Sequence, residues 1–331
     1  MPATTVNSRP TVNILVPTYN RANYLRETIQ SVLVQTYENI EVIVFDDASP
    51  DNTPSVMAEF LAEPRVAYVR HSTNLGMAGN WKAAIEAATG EFFCLLNDDD
   101  TLEPDFVESL LFPLLNNEDL ILSFCDHWIM DSKGLRLCEE SENNSRQWNR
   151  SSLEGRLQNF AYSALVDRSS YIGATLFRRS TVISDFIDER AKGFADAWLF
   201  YQYVKTGYGA YYIPKRLMNY RVHSGGMSRT QSWRPYMTEG NLFWYQQMLS
   251  DPEMSGIHKF IEAEMASVLT EHGLGMLASG KHREAYHALE ESLQLKRSVK
   301  ALAGYSLASL GSLGTTTLVM LQHLRQTARK A

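Results

Sequence analysis

The strongest constraint on this chain is a rhythm in its first 127 residues, where short apolar runs alternate with amphipathic segments of helical period. Val12-Asn13-Ile14-Leu15-Val16 reads as a buried strand stopped by Pro17, and Leu25, Ile29, Val32 and Leu33 then fall on one helical face. Ile40 to Phe45 is a second strand running into Asp46-Asp47. Asn52-Thr53-Pro54 opens the next helix with a capping side chain ahead of a first-turn proline. Val66 to Val69 is a third strand, and Trp81 to Ala88 a third helix ended by Gly90. Phe92-Phe93-Cys94-Leu95-Leu96 is a fourth strand that enters Asn97-Asp98-Asp99-Asp100, after which Pro104-Asp105 opens another helix. Strands alternating with helices require a mostly parallel sheet covered on both faces. Such sheets bind ligands at the carboxyl ends of their strands, where both acidic clusters fall.

A length of 331 residues is enough for about two domains. With 44% hydrophobic and 21% charged residues, neither a disordered polyelectrolyte nor a fibre is expected. A net charge of −7 argues against a general nucleic-acid binder, whose affinity comes from neutralising phosphates. The charge is uneven. Ser292 to Ala331 holds six cations (Lys296, Arg297, Lys300, Arg325, Arg329, Lys330) and no acid, which leaves residues 1–291 at −13. Cys94, Cys125 and Cys138 lack the spacing of a zinc site and are too few for a disulfide framework, so a reducing cytoplasm is expected. The first thirteen residues lack the apolar core of a secretion signal, and Ala301 to Leu324, rich in Gly, Ser and Thr, is a poor membrane span.

The polar stretch from Asp131 to Asp167 predicts a mobile loop or an insertion. Beyond Asn241 the pattern is helical, and Gly273, Met276, Gly280, Ala285 and Leu289 have spacings like those of one tetratricopeptide-type hairpin, without a second repeat. An α/β unit over residues 1–235 and a helical extension over 236–331 are expected.

Ile14-Leu15-Val16-Pro17-Thr18-Tyr19-Asn20, then Val44 to Thr53 with Asp46-Asp47, then Asn97-Asp98-Asp99-Asp100 with Pro104, resemble the family 2 glycosyltransferases. Gly193 to Leu199, around Asp196, and Tyr220 to Ser228, around His223, are similar to that family's acceptor-side segments. The resemblance covers about residues 11–230. It implies the GT-A architecture, a Rossmann-like mostly parallel sheet flanked by helices, with a nucleotide-binding half over about 11–127 and an acceptor-side half over about 128–235. It also implies an inverting, non-processive transfer of one sugar from a nucleoside diphosphate sugar, UDP-sugar favoured, to a hydroxyl of a growing glycan, lipid-linked saccharide or natural product.

The residues supply a physical case beside that resemblance. An acidic protein holds a diphosphate only with a cation between them, and Asp99 with Asp98 or Asp100 offers hard oxygens suited to Mn²⁺ or Mg²⁺. An acidic turn ahead of a helix is the structural alternative. Relatives usually begin this motif with Asp where this chain has Asn97. Asp47 can accept a base N–H, since a carboxylate only accepts. By the resemblance, Pro17, Thr18 and Tyr19 meet base and ribose, Asn74 and Asn80 face the nucleotide, Asp98 and Arg221 serve the nucleotide sugar, and His223 completes the metal shell. Asp46 and Ser49 either join them or cap a turn, and Gly79 stands where many relatives carry Arg. The resemblance makes Asp196 the catalytic base, which takes the acceptor hydroxyl's proton; its structural alternative is the N-cap of a helix over Ala197 to Lys205. Ser224-Gly225-Gly226 can flex to close over a donor. Trp128, Trp148 and Trp198 are stacking faces for an acceptor or core residues.

Three other readings are weaker. Processive polymerases pair a Gln-x-x-Arg-Trp motif with membrane spans, whereas this chain has Gln231-Ser232-Trp233-Arg234 and no span. A sugar-phosphate nucleotidyltransferase needs a glycine-rich phosphate loop, but Pro17-Thr18-Tyr19-Asn20-Arg21 has no glycine. An inactive scaffold would not need Asp47, Asp99, Asp196 and His223 together. The basic tail, residues 292–331, is expected to rest on the inner face of the membrane or to pack on the body or in a homodimer.

Overall fold

The computed structural model describes residues 9–182, 186–223 and 234–328. The chain divides into two compact units, Met1–Trp233 and Arg234–Ala331.

The first unit begins with the expected alternation: β1 (Val12–Thr18), α1 (Ala22–Leu33), β2 (Ile40–Asp46), α2 (Thr53–Ala58), β3 (Val66–Arg70), α3 (Gly76–Ala87) and β4 (Phe92–Leu95). These four strands are mutually parallel in the order β3-β2-β1-β4. Every residue of β1 and β4 is buried, as strands covered on both faces must be. Leu25, Ile29 and Val32 of α1 lie under that cover, in the core formed by Val12, Ile14 and Val16.

The second half of the unit carries β5 (Thr101–Leu102), α4 (Phe106–Asn116), β6 (Leu120–Met130), α5 (Cys138–Gln147), β7 (Gly155–Arg156), β8 (Thr175–Arg178), α6 (Ala195–Lys205) and β9 (Gly209–Arg221). The sheet continues β4-β8-β6-β9-β5, with β7 on β9. β8 is antiparallel to both β4 and β6, while β6 and β9 are parallel. The sheet is therefore mixed beyond β4.

Of the two readings of the polar stretch after Asp131, a mobile loop or an insertion, the structure overturns the mobile loop. The stretch folds into α5, a 3-10 turn at Arg150–Ser152 and β7. Two of its residues anchor it to β6: the buried Arg150 donates Nε to Asp126 Oδ1 at 2.7 Å, and Ser145 Oγ donates to Asp126 Oδ2 at 2.5 Å. A buried ion pair of this kind tethers a segment whose charge suggests full solvation. His127 beside it is held neutral, its pKa lowered to about 3 by burial and then by the Arg150 charge.

The second unit is α-helical: α7 (Arg234–Ser250), α8 (His258–Ala278), α9 (His282–Leu295), α10 (Val299–Ser309) and α11 (Ser312–Ala328). Leu277, Ala285, Leu289, Ala308 and Leu318 form its core. The hairpin of α8 and α9 is closed around Gly273, where an added Cβ would lie 2.6 Å from Leu289 Cγ. Among the described residues, no helix is long and apolar enough to cross a membrane.

Candidate active site

The parallel strands β1, β2 and β4 bring their carboxyl ends to one edge, and the turns there line a cavity of about 350 Å³. Pro17, Thr18 and Tyr19 come from the end of β1, Asp47 from the turn after β2, Asn74 and Asn80 from the approach to α3 and its first half, and Asp98 from the turn after β4. Seven of the residues singled out from sequence therefore share one wall. The turns are laced together. Asn20, with φ of 56°, donates its backbone N–H to Ser49 Oγ at 3.0 Å, and Asp51 accepts the Ala22 N–H at 3.0 Å. Asp51 also accepts from Thr53 N at 3.1 Å, so its carboxylate, and not the side chain of the N-cap residue Asn52, satisfies the start of α2.

Asp98, Asp99 and Asp100 are all buried. Asp98 Oδ2 accepts the Tyr19 N–H at 3.3 Å, and Thr28 Oγ1 lies 3.0 Å from the Asp98 carbonyl oxygen and 2.8 Å from that of Asp100. Arg21 Nη1 bridges the cluster, 3.4 Å from Asp98 Oδ1 and hydrogen-bonded to Asp99 Oδ2. His223 Nε2 is 2.9 Å from that same Asp99 oxygen, and its ring tilts against Tyr24 at 5.0 Å. Burial pushes the Asp98 carboxyl up to about 7, with Arg21 opposing the rise and Asp99 adding to it. Burial and then the Asp99 charge hold Asp100 well above the ordinary carboxylate range.

Other expected contributors are committed to holding the site's shape. Asp100 Oδ2 accepts from Tyr171 Oη at 2.9 Å and Asn97 Nδ2 at 3.2 Å, while Oδ1 accepts the Arg221 N–H at 2.9 Å. Of the two alternatives beside Asp99, Asp98 faces the cavity and Asp100 does not line it. Arg221, expected at the nucleotide sugar, has a buried guanidinium behind the turn. Its Nε donates to the Asp99 carbonyl at 2.7 Å, its Nη2 to Glu27 at 2.6 Å, and it stacks 4.8 Å over Tyr24. The amide of Asn80 donates to the Phe45 carbonyl at 2.9 Å and meets His71 at 3.0 Å. Asn74 Nδ2 donates to the Asp47 carbonyl at 3.1 Å. Asp46 is a turn residue, accepting from Ser49 N at 2.8 Å and Tyr68 Oη at 2.5 Å. Trp128 lies under the Arg136 and Arg216 guanidiniums at 5.1 and 4.7 Å, and Trp198 is buried.

Asp196 sits in the first turn of α6, one residue inside the helix start at Ala195, and accepts the Ala197 N–H at 2.8 Å. It is not among the residues lining the cavity. The 3-10 segment just ahead of it, Glu189–Phe194, packs on α3. Burial raises the Asp196 pKa, against the Ala197 N–H and the Arg168 charge. Ser224-Gly225-Gly226 and Gln231-Ser232-Trp233 lie outside the described residues.

Sequence reasoning missed Arg21, Glu27 and Tyr171 as parts of this site. The only signal was a lone cation, Arg21, after the first strand of an otherwise acidic site. Among the described residues no three His, Cys, Asp or Glu side chains form a ready-made metal cage. Two hard carboxylates with one imidazole nonetheless fit Mn²⁺ or Mg²⁺, which take few protein ligands when phosphate oxygens and water complete the shell. The place between Asp98 and Asp99 already accommodates a positive group, the Arg21 guanidinium.

An open α/β sheet binds ligands outside the carboxyl ends of its strands, which is where these acidic turns and the cavity lie. The glycosyl transferase family 2 model matches residues 13–180, and the chain belongs to that family. It is a glycosyltransferase of the GT-A type. The putative glycosyltransferase EpsH of Bacillus subtilis is 28% identical over 250 residues, covering 72% of this chain and 67% of EpsH. Glycosyltransferase GlyG of Streptococcus pneumoniae is 24% identical over 298 residues, covering 86% of this chain and 92% of GlyG. S. aureus TarS 1–349 in complex with UDP-GlcNAc superposes with a TM-score of 0.62 at 16% identity, covering 93% of this chain and 89% of TarS. Mannosyltransferase PcManGT from Pyrobaculum calidifontis, in complex with GDP-Man and Mn²⁺, gives 0.56 at 20% identity, covering 98% and 87%. At those identities the two structures speak for the fold.

Proposed function

We propose that the chain is a metal-dependent inverting glycosyltransferase that moves one sugar from a nucleoside diphosphate donor to a hydroxyl acceptor. The observation that carries this reading is the pairing of Asp98, which lines the strand-end cavity, with the buried Asp99 behind it around the Arg21 guanidinium. Asp98 and Asp99 would hold the metal, with His223, 2.9 Å from Asp99, beside them. When bound, Mn²⁺ or Mg²⁺ neutralises charge growing on the departing diphosphate. Arg21, which lies between the two carboxylates and lines the cavity, would supply a second positive group beside the phosphates. Pro17, Thr18 and Tyr19 meet the base and ribose along the end of β1, and Asn74 holds the turn carrying Asp47. Asp47 has Oδ1 committed to the Leu75 N–H at 2.6 Å, which leaves Oδ2 as the acceptor for a base N–H such as uracil N3–H, and the resemblance to the family favours UDP-sugars.

Asp196 accepts the proton of the acceptor hydroxyl as that oxygen attacks the anomeric carbon from the face opposite the leaving group. A buried carboxylate with raised proton affinity suits a general base better than a fully solvated one. The acceptor is a growing glycan, a lipid-linked saccharide or a natural product. The deciding experiment is a thermal-shift screen of UDP, GDP, CDP and ADP with and without Mn²⁺. Stabilisation by UDP only with metal is expected. An equal shift without metal would remove the metal from the reading, and a shift with GDP alone would reassign the base.

A further inference from the structure

From Ala301 to Leu324 the chain has no Asp, Glu, Lys or Arg, yet α10 and α11 each leave one face exposed. Val299 is 87% and Leu313 72% exposed, and Leu302, Leu310 and Met320 are exposed as well. Helices facing water ordinarily carry charges on that side. The spacing is helical: Val299, Leu302 and Leu310 stand away from the buried Ala301, Gly304 and Ala308, and Leu313 and Met320 away from the buried Gly314 and Leu318. Cations border this apolar surface. Lys296 and Arg297 are exposed ahead of α10, and Lys300 in its first turn pairs with Glu271 of α8. A cleft of about 730 Å³ opens beside them, lined by Leu293, Arg297, Val299, Leu302 and Tyr305, with Glu290 as the one acid in its lining.

We propose that the exposed face of α10 and α11 is a docking surface for an anionic lipid bilayer. Charge complementarity selects this occupant. A bilayer offers negative headgroups directly above an apolar layer, which matches cations bordering an uncharged apolar face. Residues 1–291, at −13, are repelled by the same headgroups, so the acid-free tail is the part of the chain that such a surface attracts. A second copy fits less well. An isologous dimer sets the same patch on both subunits, and from Ser292 onward that patch offers no acid to meet Lys296 and Arg297 of the other copy.

The test is flotation of the whole chain with vesicles of phosphatidylcholine, with and without phosphatidylglycerol. Recovery with the anionic vesicles only is expected. Lys296→Gln with Arg297→Gln should lower partitioning about fivefold for each cation removed. Leu313→Asp should abolish it, and both variants should keep the wild-type melting temperature and its response to UDP with Mn²⁺. Failure to float, or equal recovery with neutral vesicles, overturns the proposal. So does a solution dimer that Leu313→Asp dissociates while no vesicle binding is seen, which would assign the face to a second copy.

Discussion

The turns after β2 and β4 both carry consecutive aspartates at the end of a buried parallel strand, and they put them to different uses. After β2, Asp46 is fully buried among the Ser49 N–H, the Tyr68 hydroxyl and Arg70, and Asp47 accepts the Leu75 N–H. Burial, then the Asp46 hydrogen bond, pushes the Tyr68 phenol up to about 12, so it remains a donor to that carboxylate. After β4, Asp100 has the inward role and Asp98 and Asp99 confront charged or chargeable groups, Arg21 and His223. One turn sets a shape and the other concentrates charge. The partner that each carboxylate meets decides its work, and its neighbour in sequence does not.

The comparison can be broken most sharply at Asp99. Asp99→Ala should lower turnover by more than about 10³-fold, because a metal ligand contributes several kcal/mol to charge stabilisation, while the melting temperature stays close to wild type. Loss of folding in place of activity would put both turns in one class. Next in size is Asp196→Asn, outside both turns, with a loss of about 10² to 10³-fold in turnover and unchanged UDP affinity. Its pH profile sharpens the assignment. Burial raises the Asp196 pKa above the ordinary aspartate value, and only the ionised form accepts a proton. In the wild type kcat/KM therefore falls as pH drops through that raised value, and the Asn variant should lack this acidic limb.

Asp100→Ala tests the inward position. It strips the Arg221 N–H, the Tyr171 hydroxyl and the Asn97 amide of their acceptor, a loss of about 3 kcal/mol in stability by chemical denaturation. Asp46→Ala should behave alike, and a stable but inactive Asp100 variant would contradict the division drawn here. The smallest effect belongs to Asp47→Ala, about 1 kcal/mol, visible as a several-fold weaker UDP affinity by calorimetry. An unchanged affinity would leave Asp47 with its Leu75 contact alone.

The alternation of β1 to β4 with α1 to α3 was legible because strand and helix periods are local properties, and the placement of Asp47 and Asp98 at strand ends followed from the same pattern. The second half of the sheet was not legible. β8 enters antiparallel between β4 and β6, a pairing set by contacts between residues such as Phe93 and Phe177 that are far apart in sequence. The order of the segment around α5 was not legible either, because its polarity is local while its anchor is not: Arg150 pairs with Asp126, 24 residues earlier. Arg21 escaped notice for the same reason, since its carboxylate partners lie 77 and 78 residues away.

By itself, the sequence determined the βα rhythm, the acidic strand ends and the acid-free tail, since each depends on residues that are neighbours along the chain. Only the tertiary structure decided which aspartate of each cluster faces the cavity. Burial and counter-charge make that choice, and they come from Arg21, Arg221 and Tyr171, side chains that share no sequence neighbourhood with the turn they surround.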